Sequence, residues 1–312
     1  MEGLIQRRHR GAPGRRLARL HILFHRAISE ALRHDALNLA QSTAYSAIVS
    51  LFPALIVTAV VIGLLPDTAP IRSQLSALFD RILPPDVSPL LQSYFVASSE
   101  NARPLRVIVV AFFVSFTGAS SVIATLMEGL RRASHLPPNC WSTFWRRRLR
   151  AYLLVPLSLL PLAIASVLVV FGHFITVWLG MHVDPSVRAP VYVIALVIRW
   201  AVALTGSIAV IALIYHMGTP RQDPWHHTLP GAIFATFSWF FTTLAFGWYV
   251  TRFANYSQVY GSLGAGIALL FWLYLISLSV LCGAEFNAQF HEDSTTRAPE
   301  TVDSAAHNAP HG

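Results

Sequence analysis

Asn255-Tyr-Ser-Gln-Val-Tyr-Gly-Ser-Leu-Gly-Ala-Gly266 opens a stretch that continues through an apolar run to Cys282-Gly-Ala-Glu-Phe-Asn-Ala288. No charged side chain stands between Arg252 and Glu285. That distance exceeds the roughly 20 apolar residues needed to cross a bilayer core. At its head, Gly261 and Ala265, Ser262 and Gly266, and Gly264 and Ala268 each stand four apart. On a helix this spacing stacks small side chains into a seam that lets a neighbouring helix come close. At its far end, where apolar sequence stops, stand Glu285 and Asn287. The stretch predicts a membrane helix over about 260–284, with a packing seam at one end and polar groups at the other.

Five more apolar runs of membrane length precede it, over about 43–65, 107–127, 152–181, 189–217 and 229–250. Hydrophobic residues make up 54% of the 312 positions and charged residues 12%. Ordinary soluble domains carry about twice that charged share. A large soluble core explains high apolar content but not repeated uncharged runs of this length. The fold class is therefore all-α integral membrane protein: a six-transmembrane-helix bundle over residues 36–290. Pro53 falls inside the first span, where it removes a backbone hydrogen bond and predicts a kink.

Residues 66–106 join the first two spans. Ile71, Leu75, Leu78, Phe79 and Ile82 make one helical face, Pro84-Pro85 stops it, and Leu90, Leu91, Tyr94 and Phe95 follow. This predicts a small extracytoplasmic helical cap, either a lid or an interfacial spacer. Residues 1–35 form a basic N-terminal segment, expected to be disordered over 1–16. Leu17, Leu20, Phe24, Ala27, Ile28 and Ala31 then recur at helical spacing, with Arg19, Arg26 and Arg33 seven apart. They predict an amphipathic helix, either lying on the membrane face or packed on the bundle. The polar tail, 291–312, is expected to be disordered.

All 23 basic residues are Arg, and the net charge is +8. In a membrane protein that charge reads as a topology signal and an attraction to anionic lipid, not as a nucleic-acid site. Sixteen Arg fall in segments 1–35, 128–150, 218–228 and 285–312, and six in the segments of the opposite side. The positive-inside rule then places both termini in the cytoplasm and the cap outside. Trp141 and Trp145 lie beside the Arg cluster of 128–150, as interface anchors do. Cys140 and Cys282 fit neither a disulfide framework nor a zinc site. No clustered His-and-carboxylate pattern accompanies the thirteen His, so no metal site and no cofactor are expected.

Tyr260-Gly261-Ser262-Leu263-Gly264-Ala265, Leu269-Leu270-Phe271-Trp272-Leu273-Tyr274 and Gly283-Ala284-Glu285-Phe286-Asn287-Ala288 resemble the C-terminal signature of the YihY/BrkB family of bacterial inner-membrane proteins. Ala44-Tyr45 and Ser50-Leu51-Phe52-Pro53 resemble its first-helix motif. Arg131-Arg132-Ala133 departs from the Asn-containing motif that the family commonly shows there. The resemblance implies a multi-pass protein of the bacterial inner membrane. Members carry a virulence-factor label or an old ribonuclease BN label.

Arg199, about ten residues into the fourth span, is the sharpest single signal. An intramembrane Arg is expensive, about 2.5–3.5 kcal/mol on insertion scales, and usually faces a wet path or a partner. It is a candidate contact for an anionic group, or a structural partner to backbone carbonyls. Glu128 and Glu285, at expected cytoplasmic span ends, are candidates for a gate with the Arg cluster, or for interfacial pairs. Tyr45 and Asn287 join them as candidates for a substrate path through the family motifs. Metal-dependent RNA cleavage would need clustered ligands, and no such cluster, nucleophilic triad or phosphate loop is present in the sequence. The reading is a transporter or exporter of an envelope-related, amphiphilic anionic substrate, small-molecule or lipid-like, and not an enzyme. The alternative is a non-transporting protein that supports the envelope or resistance to host killing. A membrane-associated hydrolase comes third.

Overall fold

A computed structural model describes residues 13–63, 89, 105–140, 144–182, 188–220, 224–253 and 262–307. The cap expected over 66–106 lies outside them, save Pro89 and the last two positions, Leu105 and Arg106. Seven α-helices are described: α1 (Pro13–Arg33), α2 (Ala36–Gly63), α3 (Leu105–Ala133), α4 (Phe144–His182), α5 (Arg188–Gly218), α6 (Trp225–Phe253) and α7 (Ser262–His307). Six of them, α2 to α7, are long and apolar enough to cross a membrane. The fold is thus an all-α bundle of six spans with one additional N-terminal helix.

The helices overrun the expected spans. α2 starts at Ala36 rather than at position 43. Ala36–Ser42 carries no charge and nothing that stops a helix. The break before it is made by Asp35, whose φ of 65° is left-handed. A short polar side chain tolerates that conformation. Asn38 Nδ2 then donates to Asp35 Oδ1 at 2.6 Å and ties down the new helix. α1 begins at Pro13, so residues 13–16, expected to be disordered, are helical. Proline suits a first helical position because its missing N–H would have no helical partner. α7 runs on to His307, into the tail expected to lack structure. A helix already nucleated extends without a new nucleation step. The last candidate span is Gly264–His291, so Glu285 and Asn287 lie inside it rather than at its end.

α7 is the central element and packs against α1, α2, α3 and α6. Met127, Leu154, Ile211, Tyr215, Ala232, Ala235 and Ala284 form one core near the ends of α3 and α5 and the starts of α4 and α6. A second, of Leu55, Phe246, Val250, Ala268, Leu269 and Trp272, joins α2, α6 and α7. Hydroxyls within the spans bond back to their own helices, as at Thr43 to the Leu39 carbonyl (2.7 Å) and Thr236 to the Ala232 carbonyl (2.9 Å). Hydrocarbon offers no other partner, so these hydroxyls are satisfied by their own helices.

α1 packs on the bundle along one stripe. Leu23 and Ala27 are buried against Phe286 of α7. Phe24, Ile28 and Leu32, on the adjoining flank, are exposed. Arg26, Ser29 and Arg33 lie further round. Phe24 of that flank still sets its ring 5.8 Å from Phe234 of α6, while Ile28 and Leu32 are left uncovered by the bundle.

Candidate functional site

Polar side chains gather where α1, α3, α4 and α7 meet. Glu128, near the end of α3, accepts from Arg131 Nη2 at 2.7 Å and Nε at 3.1 Å. It also accepts from Arg132 Nε at 3.1 Å and Arg147 Nη1 at 3.3 Å. The first two pairs use i,i+3 and i,i+4 spacing on α3, which brings side chains together on one face. Arg147 comes from α4 and also donates to the Ala124 carbonyl at 3.5 Å. Its neighbour Arg148 donates to Ser121 Oγ at 3.1 Å and lies over the Tyr152 ring. Two arginines of α4 thus reach past the end of α3 into its last turns.

Arg132 extends the belt. Its Nη1 donates to the His34 carbonyl at 3.2 Å and approaches Asp35 Oδ2 at 3.5 Å. His34 in turn is hydrogen-bonded through Nδ1 to Glu285 Oε1 at 2.7 Å. The His135 ring stands edge-on to His34 at 5.1 Å between centroids. Glu128 and Glu285, the two carboxylates expected to form a gate, therefore belong to one chain of contacts through Arg132 and His34. Glu285 is 3% exposed.

Two residues further along α7, Asn287 Oδ1 accepts the Gly231 N–H at 3.1 Å. His291 Nε2–H donates to the His227 carbonyl at 2.7 Å. Pro230 interrupts the early turns of α6, and these two α7 side chains bond its backbone there. Tyr215 donates from α5 to the Val280 carbonyl.

The remaining candidates lie elsewhere. Arg199 of α5 donates from Nη2 to the Gly172 carbonyl of α4 at 3.2 Å. Its guanidinium has a backbone carbonyl as partner, well along the helix from the belt. Tyr45 is 66% exposed on α2. Pro53 and Ile56 of α2 face Arg106, Val107, Val110, Ala111 and Val114 of α3 across an open apolar groove of about 430 Å³. In the expected seam, Gly264 is buried, Ala265 is half-buried and Ala268 lies in the second core. A Cβ on Gly266 would meet nothing within 4 Å, and Gly261 lies outside the described residues. Among the described residues no group of three or more His, Cys, Asp or Glu is gathered for a metal ion.

Sequence reasoning missed His34, Gly231 and Tyr215, and it placed Arg147 only within the Arg cluster of 128–150. Gly283 stood inside the quoted motif, which was its only signal. Nothing local marks His34, because its partner is 251 residues away.

Six apolar spans around an internal ion-pair belt define a polytopic α-helical membrane protein. The profile described as Virulence factor BrkB matches residues 27–308, and the chain belongs to this family of bacterial inner-membrane proteins, YihY/BrkB. It is 26% identical over 261 residues to a Bacillus subtilis (strain 168) protein named as ribonuclease-like, YfkH, covering 83% of this chain and 91% of that one. A membrane protein of Alteromonas mediterranea is 27% identical over 266 residues, covering 83% and 85%. A longer membrane protein of Nitrosospira multiformis is 25% identical over 263 residues, and there the chain spans 58% of the relative. No solved structure matches the chain.

Proposed function

We propose that the protein moves an anionic amphiphile across the inner membrane, by a path closed at the belt and open at the opposite end of α4 and α5. One observation carries this reading. None of the side chains described over 190–205 of α5, nor those at 166–168 and 172 of α4, is buried. Buried positions on those helices include Ala151, Leu154, Val155 and Ala165 of α4 and Gly206, Ile211, Ala212, Ile214 and Tyr215 of α5, most of them toward the belt. Over 190–200 only Val191, Ala195 and Arg199 are half-covered, a single stripe along α5. A helix enclosed in a bundle is covered on a broader face than that. Arg199 stands on the stripe, and its fixed planar donors suit a carboxylate or phosphate.

The distribution of Arg supports both termini, and with them the belt, on the cytoplasmic side. The belt then serves as the inner gate, held by Glu128 and by the His34–Glu285 pair. The Bacillus relative's ribonuclease-like name is not carried over, since no described observation favours hydrolysis. A non-transporting envelope protein is the alternative, and an outer half as well packed as the inner one would favour it.

The test is a lipid and metabolite comparison between a deletion strain and its complemented parent, followed by flux of the compound that differs into proteoliposomes. An anionic amphiphile displaced in the deletion strain, and moved by the wild-type protein, is the expected result. No displaced compound, with envelope defects still rescued by the protein, points to the alternative.

A further inference from the structure

Glu285 is the only buried carboxylate among the residues whose side chains are described. Its Oε1 meets His34 Nδ1 at 2.7 Å. Its Oε2 is buried and has no hydrogen-bond partner among the described residues. A bare carboxylate in such a place is costly, because water is lost and nothing replaces it. The groups around it are few. The end of α1 and its turn bring Glu30 and His34, and the residues after α3 bring His135 against the His34 ring. Cys282 stands one turn back on α7. Arg132 of α3 is engaged by the His34 carbonyl, Asp35 and Glu128. Asp35, at the head of α2, holds Asn38, and His227 of α6 holds His291. The local balance of charge at Glu285 therefore rests on the imidazoles.

We propose that His34 and Glu285 form a proton-binding site that latches the N-terminal helix α1 to the last span. One proton held between Nδ1 and Oε1 makes the pair neutral overall and closes the hydrogen bond. The two groups titrate as a unit, and in the docked state the proton rests on Oε1, donating to Nδ1, so that no charge faces the buried Oε2. When it leaves to water, what remains is a carboxylate whose buried Oε2 no described protein group bonds. Lifting α1 lets water reach that oxygen and relieves the penalty. The hinge for this movement is already present, since Asp35 separates α1 from α2 at a left-handed φ. The seat of α1 is apolar: Leu23 and Ala27 against Phe286, Phe24 against Phe234, and Ala31 among Leu126 and Leu281, so the His34–Glu285 contact is its polar tie to α7. The sign follows: the docked state binds the extra proton, so docking is favoured at low pH and lost as pH rises through the value of the pair. This inference goes beyond transport and holds whether or not the protein moves a substrate.

The experiment uses the full chain in lipid nanodiscs over a series of pH steps. Infrared difference spectra report the carboxylic-acid C=O band. Spin labels at His25 on α1 and Trp145 on α4, in a Cys140→Ser, Cys282→Ser background, report docking. The wild type should lose a carboxylic-acid band as pH rises, and the label distance should broaden over the same range. Glu285→Gln, permanently neutral, should lack the band and keep α1 docked throughout. His34→Gln, which keeps a polar partner but cannot share the proton, should move the midpoint by about one pH unit or more. That variant, read with carbon-13-labelled glutamate, tests the site even if Glu285→Gln fails to fold. A wild-type band unchanged in Glu285→Gln, a midpoint unmoved in His34→Gln, or a label distance indifferent to pH would each overturn the proposal.

Discussion

Gly231 of α6 and Gly283 of α7 approach until a Cβ added to Gly231 would stand 2.5 Å from the Gly283 carbonyl oxygen. The converse holds too: a Cβ on Gly283 would lie 2.8 Å from the Gly231 oxygen and 2.6 Å from Tyr215 Oη. Backbone cannot yield as a flexible side chain does. This contact also lets Asn287 and His291 reach the backbone of α6.

Gly283→Ala and Gly231→Ala should therefore each destabilise the bundle by about 1–3 kcal/mol, the usual range for overpacking. The measurement is the melting temperature of the purified protein in detergent. Gly118→Ala, whose Cβ would stand 2.5 Å from Ser50 Cβ between α3 and α2, is a matched control from a different helix pair and should fall in the same direction.

The small-residue seam at the head of α7 should divide in two. Gly264→Leu should lower folded yield and melting temperature, because Gly264 is buried. Gly266→Leu should leave both unchanged, because a Cβ there meets nothing within 4 Å. Equal losses from the two variants would show that the whole seam is covered in the membrane.

Glu128 holds three arginines at once, and its removal strands them. Glu128→Ala should cost about 1–3 kcal/mol of stability, the loss expected when charged hydrogen bonds go unmade. Arg147→Gln should cost less, since Arg131 and Arg132 still hold the carboxylate. Thermal melting of both variants at low and high salt checks this. The belt is partly exposed, so added salt should narrow the difference from wild type.

Arg199 separates a structural role from contact with substrate. Its donation to the Gly172 carbonyl is a structural contact, and Arg199→Lys and Arg199→Gln both disturb it. If the proposed path is correct, complementation of a deletion strain should fall more for Gln than for Lys while both purified variants melt near the wild type. Yield, melting and function falling together would leave Arg199 as a helix-to-helix tie between α5 and α4.

Orientation can be read with impermeant thiol reagents. In a Cys140→Ser, Cys282→Ser background, Leu105→Cys at the start of α3 should be labelled on intact cells. Trp145→Cys, near the start of α4, should be labelled only after the cells are opened. The reverse pattern would place the belt and the termini outside.

The sequence alone determined the six spans, because the penalty for burying backbone and charge in hydrocarbon acts run by run and is legible in a window of about 20 residues. It also reached Glu128 beside Arg131 and Arg132, since helical spacing of three and four decides their contact locally. Helix ends were less legible. Ala36–Ser42 and the turns around Glu285 and Asn287 continue helices whose apolar runs begin later or end sooner. The pairings between helices were decided by the tertiary structure. His34 with Glu285, Gly231 with Asn287 and Arg199 with Gly172 join positions 251, 56 and 27 residues apart. Periodicity states which face of a helix is apolar. It does not state how far each helix is turned about its axis or how deep it sits beside its neighbour, and those two settings choose the partner of every polar group inside the bundle.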